Sequence, residues 1–276
     1  MKFLICQIPL RLTTQPFRIA NLPEHVSLRR KCIEHAIAGG FEVIVFPEYT
    51  YDPSEEEYMC DKSKKLTIIA GSYEDLGHFN QTVIFVDGNR FQQAKKHLSP
   101  HEVSLPVEKS VKESTDAPTY FSLNGKCCMI LTCFDFYHLV AEKCRDLLDG
   151  KYLEIIFSPC CNDNPRIFFM EAEAAHGHTD SLTTIICNVS SLKVGDGDVK
   201  KFGGSAVFGM YDSNTVQSLD KLNLRCNFFK NMITSFPEGD YVCEIELTIP
   251  YPRPRMCAIQ YCPNPSNVEY REISKL

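Results

Sequence analysis

The sequence lacks the features that would place it in a membrane or on a nucleic acid. None of its apolar runs approaches the ~20 residues needed to cross a bilayer. The opening stretch MKFLICQIPL lacks the longer apolar core and the small-residue cleavage site of a signal peptide. The net charge is −6, from 29 Lys and Arg against 35 Asp and Glu. We therefore expect a cytoplasmic protein that binds neither nucleic acid nor a membrane surface, since both of those need a positive field.

The 14 cysteines are not spaced as in a zinc site, because no CxxC pair occurs anywhere in the chain. In the absence of a secretion signal we expect free thiols, many of them buried as small hydrophobic residues. Two other segments could suggest a metal: His176 with His178, and residues 195–198 (GDGD). Neither segment brings the further ligands that a zinc or calcium site needs, so we expect no metal.

Short apolar, β-branched runs alternate with segments of helical period, which predicts an α/β or α+β layered protein. The Asp87-Gly88 pair between two of the runs predicts a tight hairpin. No repeat, linker or break in composition occurs, so we predict one domain over residues 1–276, with 248–276 as an extended tail. Strands are predicted near residues 2–8, 42–46, 66–70, 81–86, 90–95, 117–123, 127–132, 153–158, 183–189, 205–210 and 241–247, and helices over 24–38, 137–148 and 166–177.

Three residues able to do chemistry stand at or just beyond predicted strand ends: Glu48, Lys95 and Cys133. Each is ordinary when taken alone, as a solvated loop acid, a surface lysine or one of many thiols. A strand end presents a side chain on a rigid base, and a helix that begins just after Cys133 would lower the pKa of its thiol. Lys96 is an alternative to Lys95, because adjacent strand residues point to opposite faces.

Taken together, these residues resemble the Glu-Lys-Cys set of the nitrilase (carbon–nitrogen hydrolase) superfamily. Five segments carry the resemblance, in the family's order, and they extend the match from residue 2 to about 247. They are FPE at 46–48, KKHLSPHE at 95–102, TCFD at 132–135, Asn188, and FGGS at 202–205.

The resemblance implies a four-layer α-β-β-α sandwich of the nitrilase type and a homodimer or higher homo-oligomer. It implies no cofactor. The implied activity is hydrolysis of a non-peptide carbon–nitrogen bond in a small molecule, with an amide favoured over a nitrile or carbamoyl group. A soluble acyltransferase that uses the same thioester, and a non-catalytic sensing module on the same fold, stay open as alternatives.

The roles that follow from the resemblance assign Cys133 as the nucleophile and Glu48 as the general base and acid. Lys95, with the backbone N–H of Phe134, would bind the oxyanion. Glu102 would orient Lys95 or contact the substrate.

Further candidates for substrate binding are Asn188 and Cys160, each near the end of a predicted strand. Either Cys160 or the adjacent Cys161 could face the site, although buried structural thiols are the simpler interpretation of the pair. Only residues 49–65 separate Glu48 from the next strand, where similar proteins often carry a longer segment that walls the pocket. We therefore expect a more open site, for a larger substrate or for a partner that completes the wall.

Overall fold

The computed structural model describes residues 1–14, 16–103, 111–118, 120–146, 153–176, 182–209, 229, 232–248 and 264–276. Within these residues the chain forms two large mixed sheets, one small sheet and five α-helices. The helices are α1 (Leu22–Ala38), α2 (Glu56–Lys62), α3 (Pro100–Val103), α4 (Phe134–Asp146) and α5 (Pro165–His176).

The first large sheet has three parallel strands at its centre and antiparallel strands on both sides. Strand β3, with the sequence VIV, is buried along its whole length, as β-branched runs inside a parallel sheet usually are. In spatial order the strands are β16 (Asn264–Glu272), β15 (Tyr241–Thr248), β1 (Lys2–Gln7), β3 (Val43–Val45), β4 (Thr67–Glu74), β5 (Asn80–Val86) and β6 (Asn89–Ala94).

The C-terminal segment, predicted only as an extended tail, contributes the edge strand β16 to this sheet. Its pairing with β15 runs from Tyr241 opposite Glu272 to Thr248 opposite Asn264. The rest of that segment, residues 249–263, lies outside the described residues.

The second large sheet also has a parallel centre, formed by β8, β9 and β10. In spatial order its strands are β14 (Met232–Ser235), β13 (Ala206–Gly209), β10 (Thr183–Asn188), β9 (Ile155–Cys160), β8 (Lys126–Ile130) and β7 (Tyr120–Leu123).

The two sheets pack face to face, and helices cover their outer faces. Between the sheets, one apolar cluster joins residues of both, including Phe3 and Phe157 with ring centroids 6.3 Å apart. A second cluster joins the outer face of the first sheet to α1 and α2, and a third joins the second sheet to α4 and α5. The predicted four-layer α-β-β-α sandwich is confirmed. None of the described helices is long and apolar enough to span a membrane.

The predicted hairpin joins β5 and β6 through a two-residue turn. Asp87 and Gly88 have φ of +50° and +79°, the left-handed values of a type I′ turn, and Val86 pairs with Asn89 across it. A third, three-stranded sheet was not predicted. It consists of β12 (Lys200–Lys201), β11 (Ser191–Val194) and β2 (Pro9–Leu12), strands too short to show a clear hydrophobic period.

Candidate active site

The residues singled out from the sequence come from strands that run in the same direction. Glu48 follows β3 and Cys133 follows β8, both in the parallel centre of a sheet. Lys95 follows β6, which runs parallel to β4 because the intervening strand is antiparallel to both. The carboxyl ends of strands with one direction meet at the same edge, where binding sites of parallel sheets usually form.

A glycine lets the turn that carries Glu48 lie against β4. Gly71 has a φ of +78°, and a Cβ at this position would lie 2.0 Å from the carbonyl oxygen of Pro47. The next residue, Ser72, accepts a hydrogen bond at Oγ from the N–H of Tyr49, whose own φ is +61°. This close contact between neighbouring segments determines the direction of the Glu48 side chain.

Lys95 lies between two carboxylates in the interior of the protein. Its ammonium Nζ is 2.8 Å from Oε1 of Glu48 and 2.7 Å from Oε2 of Glu102. All three side chains are no more than 2% exposed. These contacts use two of the three ammonium hydrogens and leave one for a substrate oxygen. Lys96, the alternative from the sequence, is half-buried, and its backbone N–H donates to Asp135.

Two residues that the sequence pattern did not indicate complete this cluster. The Asn80 amide Nδ2 donates to Oε1 of Glu48 at 2.8 Å and to Oε1 of Glu102 at 3.0 Å. The Tyr49 hydroxyl donates to Glu102, as does the backbone N–H of Ser99. For Asn80 and Tyr49, the only sign in the sequence of a place in the site is their position: Asn80 begins a strand, and Tyr49 follows Glu48 directly.

Burial and neighbouring charges shift the pKa values of Glu48 and Glu102 in opposite directions. Burial raises the pKa of Glu48, and the charge of Glu102 adds to this, while Lys95 only partly offsets both. Burial also acts on Glu102, but Lys95 and the hydrogen bonds from Tyr49 and Ser99 lower its pKa to about 2. Burial alone would lower the pKa of Lys95, yet the two carboxylates raise it well above its usual value. Glu102 is therefore the fixed counter-ion of Lys95, and Glu48 is the group suited to exchange a proton.

Cys133 lies at the junction of β8 and α4 with a left-handed φ of +49°. Its backbone N–H donates to the carbonyl of Pro159, and its buried thiol lies near the Glu48 carboxylate and the Cys160 thiol, both of which affect its pKa. A non-glycine residue in this conformation is strained by roughly 1–3 kcal/mol, and such strain is common at functional sites. The sulfur has no exposed surface, so access to it requires a small displacement of a neighbouring side chain.

The expected lowering of the Cys133 pKa by the helix is wrong. Burial, the hydrogen bond with Cys160 and the Glu48 charge raise the pKa of this thiol well above its ordinary value, and Lys95 offsets only part of that. A helix N-terminus stabilises a thiolate by a modest amount, whereas removal from water opposes it strongly. A raised pKa keeps Cys133 in the thiol form beside the Glu48 carboxylate.

The residues that follow Cys133 connect the second sheet to the Lys95 segment. The buried Asp135 carboxylate accepts the backbone N–H groups of Lys96 and His97 at 2.7 to 3.1 Å, which holds the chain just beyond Lys95. Phe134 begins α4, so its N–H belongs to the helical groups that have no intrahelical acceptor. Its side chain lines the adjoining cavity.

The two adjacent cysteines at the end of β9, Cys160 and Cys161, have different surroundings. Cys160 is buried beside Cys133 and does not line the cavity. Cys161 does line it, and the backbone N–H of Cys161 donates to Oε2 of Glu48 at 3.1 Å. The segment after β9 therefore holds the second oxygen of Glu48 in place.

Asn188 is not among the described residues that line the cavity. Its Nδ2 donates to the carbonyls of Asn162 and Gly203 at 2.7 and 2.6 Å, and its Oδ1 accepts the N–H of Asn162. The backbone N–H of Asn188 donates to Ser205. With these groups engaged, Asn188 joins the cavity-lining loop to the FGGS segment and has no side-chain donor left for a substrate.

A cavity of about 550 Å³ opens above the buried cluster. Glu48, Tyr49 and Glu102 form its floor, and the third sheet contributes one wall through Leu192 and Val194.

The described residues contain no group of three or more His, Cys, Asp or Glu placed to hold a metal ion. His176 is buried with neither ring nitrogen hydrogen-bonded, and burial lowers its pKa to about 3. His178 lies outside the described residues.

Comparisons with known proteins identify the fold. No protein-family model matches the chain, and no curated protein matches it significantly. Among solved structures, Nit3 of Saccharomyces cerevisiae, a member of branch 10 of the nitrilase superfamily, superposes with a TM-score of 0.59 at 14% identity, over 88% of each chain. A mutant of the Nesterenkonia AN1 amidase from the same superfamily superposes with a TM-score of 0.60 at 12% identity, again over 88% of each chain. This chain has the nitrilase fold.

One further similar structure has a modified cysteine in its own active site. It is a mutant of the amidase from Nesterenkonia sp. AN1 with acrylamide added to its active-site cysteine. It superposes with a TM-score of 0.55 at 14% identity, over 75% of this chain and 85% of that one.

Proposed function

We propose that this protein hydrolyses a non-peptide carbon–nitrogen bond, with an amide as substrate and a thioester on Cys133 as intermediate. One observation carries the proposal. The buried Cys133 thiol lies close enough to Glu48 for its charge to raise the thiol pKa, and the Glu48 carboxylate contacts a lysine that a second carboxylate holds in the ionised form. This arrangement supplies a nucleophile, its base and a fixed positive charge within one water-poor volume.

In the first half-reaction, Glu48 removes the thiol proton as Cys133 Sγ attacks the amide carbon. The carbonyl oxygen becomes an oxyanion, which the free Nζ hydrogen of Lys95 and the N–H of Phe134 stabilise. Glu48 then gives its proton to the nitrogen, the carbon–nitrogen bond breaks, and ammonia or an amine departs. The acyl group remains on Cys133 as a thioester.

In the second half-reaction, Glu48 accepts a proton from a water molecule that attacks the thioester carbon. The same donors stabilise the second oxyanion. The carbon–sulfur bond breaks, the sulfur regains the proton from Glu48, and a carboxylic acid leaves. No net change in protonation or oxidation state remains on the enzyme.

The difference in pKa supports Glu48 rather than Glu102 as the base. A general base must accept and release a proton near the working pH, so a raised pKa suits it. A group with a pKa of about 2 stays ionised throughout and can only compensate the charge of Lys95. Glu102 is therefore proposed to position Lys95 without exchanging protons.

The likeness to an amidase of the nitrilase superfamily supports the choice of an amide. A mutant of the same amidase also binds butyramide, in a structure with a TM-score of 0.53 and 13% identity. The single domain, the cytoplasmic location and the homo-oligomeric state stay predictions from the sequence.

The test is intact-mass spectrometry of the protein incubated with a panel of primary amides. We expect a transient acyl adduct on the native protein and none on Cys133→Ala. Cys128→Ala is a matched control, because Cys128 is a buried cysteine of β8 whose side chain packs between the two sheets. It should keep the adduct.

The products distinguish the alternatives. Release of ammonia with the free acid supports hydrolysis, whereas acyl transfer to an added amine without free acid supports an acyltransferase. If no amide forms an adduct and an acylating reagent modifies Cys133 no faster than Cys128, the catalytic proposal is wrong and a sensing role on the same fold is favoured.

A further inference from the structure

The cavity above the buried cluster changes in chemistry from floor to opening. At the floor are the buried carboxylates of Glu48 and Glu102. The charged lining residues Asp163, Asp198 and Lys200 are all exposed, so they surround the opening. The wall between floor and opening is where the body of a substrate would lie.

That wall has apolar residues from two parts of the fold. The third sheet presents Leu192 and Val194, two residues apart and hence on the same face of β11, beside the buried Leu12. The helices contribute Phe134 of α4 and Ile167 of α5. All of them except Leu12 are half-buried residues that line the cavity. Apolar surface left open inside a concave site gains free energy when an apolar ligand covers it.

The volume exceeds what a small amide needs. A four-carbon primary amide has six heavy atoms, about the space of six water molecules at ~30 Å³ each. It would fill roughly a third of the 550 Å³ available. The remaining volume lies along the apolar wall. With a substrate as small as a four-carbon amide, the side chains of that wall would stay in contact with solvent.

The charges do not suit an ionised substituent. The described lining residues include no arginine, one histidine, His101, and one lysine, Lys200, which shares the opening with two aspartates. A carboxylate or ammonium group placed against the apolar side chains of the wall would lose its hydration without gaining a charged partner there.

We infer that the substrate is an uncharged amide whose substituent is apolar and larger than a short alkyl group, an extended alkyl chain or an aromatic ring. The inference rests on the proposed function. It specifies the part of the substrate that the reacting groups do not touch.

The experiment compares two series of uncharged amides. One lengthens the acyl chain from propionamide to heptanamide, and the other lengthens the N-alkyl group of acetamides over the same range. We expect kcat/KM to rise by about threefold to fourfold per methylene in one series, roughly a hundredfold across four methylenes. A rise in either series supports the inference and shows which side of the amide faces the wall.

Two matched variants test whether the dependence of kcat/KM on substituent length arises in the cavity. Val194→Phe should lower the ratio of kcat/KM between the longest and the shortest amide by at least about tenfold, because the new ring occupies space along the wall. Val199→Phe makes the same change five residues away, at a side chain that is 59% exposed and does not line the cavity. It should leave the ratio as it is.

Failure of this inference differs from failure of the proposed function. If short amides are hydrolysed but kcat/KM stays flat or falls in both series, the substrate class is wrong while the hydrolase proposal stands. Faster hydrolysis of an amide with a terminal carboxylate than of the uncharged amide of equal length also overturns the inference. If no amide of either series is hydrolysed and none acylates Cys133, the proposed function itself fails.

Discussion

Replacing Glu102 by glutamine tests whether this carboxylate is the fixed counter-ion of Lys95. The native pKa of Glu102 is lowered from 4.5 to about 2 by Lys95 and by the donors around it. Since a tenfold change in proton affinity equals about 1.4 kcal/mol, the ionised form stabilises the native state by about 3 kcal/mol. Glutamine has the shape of the protonated acid but lacks the charge, so Glu102→Gln should remove this contribution.

The sign of the pH dependence follows from the lowered pKa. An acid whose pKa falls on folding contributes stability above its unfolded value, here near 4.5, and loses it as the pH falls toward 2. The difference in unfolding free energy between the native protein and Glu102→Gln should therefore be about 3 kcal/mol at pH 7 and about 1 kcal/mol at pH 3. Urea unfolding followed by circular dichroism at several pH values measures it.

Glu102→Gln should also change the pH dependence of kcat/KM, which the loss of a purely structural residue would leave as it is. The charge of Glu102 raises the pKa of Glu48, so its removal should move the acid limb of the kcat/KM profile to lower pH. The matched control is Glu154→Gln, a buried glutamate 2.9 Å from Lys126 and outside the cluster. Glu154→Gln should lower the free energy of unfolding without shifting the acid limb of the kcat/KM profile. A stability difference for Glu102→Gln that is the same at pH 7 and pH 3 would refute the reasoning.

Three further predictions follow from the geometry of the site. In the native protein, kcat/KM should fall on the acid side with an apparent pKa above that of an ordinary glutamate, because burial raises the pKa of Glu48; a pH–rate profile checks this. Asn80→Ala should raise that apparent pKa and lower kcat, since a donor to the Glu48 carboxylate is lost; an unchanged profile would contradict the positioning role. Gly71→Ala should lower the unfolding free energy by at least about 2 kcal/mol, and by more than Gly125→Ala, which has the same φ of +78° but open space around a Cβ.

The sequence by itself determined most of the architecture and the location of the candidate site. Strands end where apolar, β-branched runs end, and the turn after β5 needs two left-handed residues that Asp87 and Gly88 provide readily. These are short-range properties, set by neighbours along the chain. For the same reason, the local pattern alone predicts that Glu48, Lys95 and Cys133 lie at strand ends.

Only the tertiary structure decided how those residues work together. Asn80 and Tyr49 join the cluster through contacts between strands, which no local pattern encodes. Lys95 rather than Lys96 reaches the carboxylates because the register of β6 directs it there. The apolar wall depends on short strands that lie far apart in the chain and pair only after folding.

The pKa of Cys133 shows the physical reason most directly. Its sequence neighbours suggested a lowered value, from the helix that follows. Burial between the layers, the neighbouring Cys160 and the Glu48 charge reverse that direction. Desolvation and charge–charge distances are properties of the packed molecule, so the chemistry of this thiol is determined by parts of the chain that are remote from it in sequence.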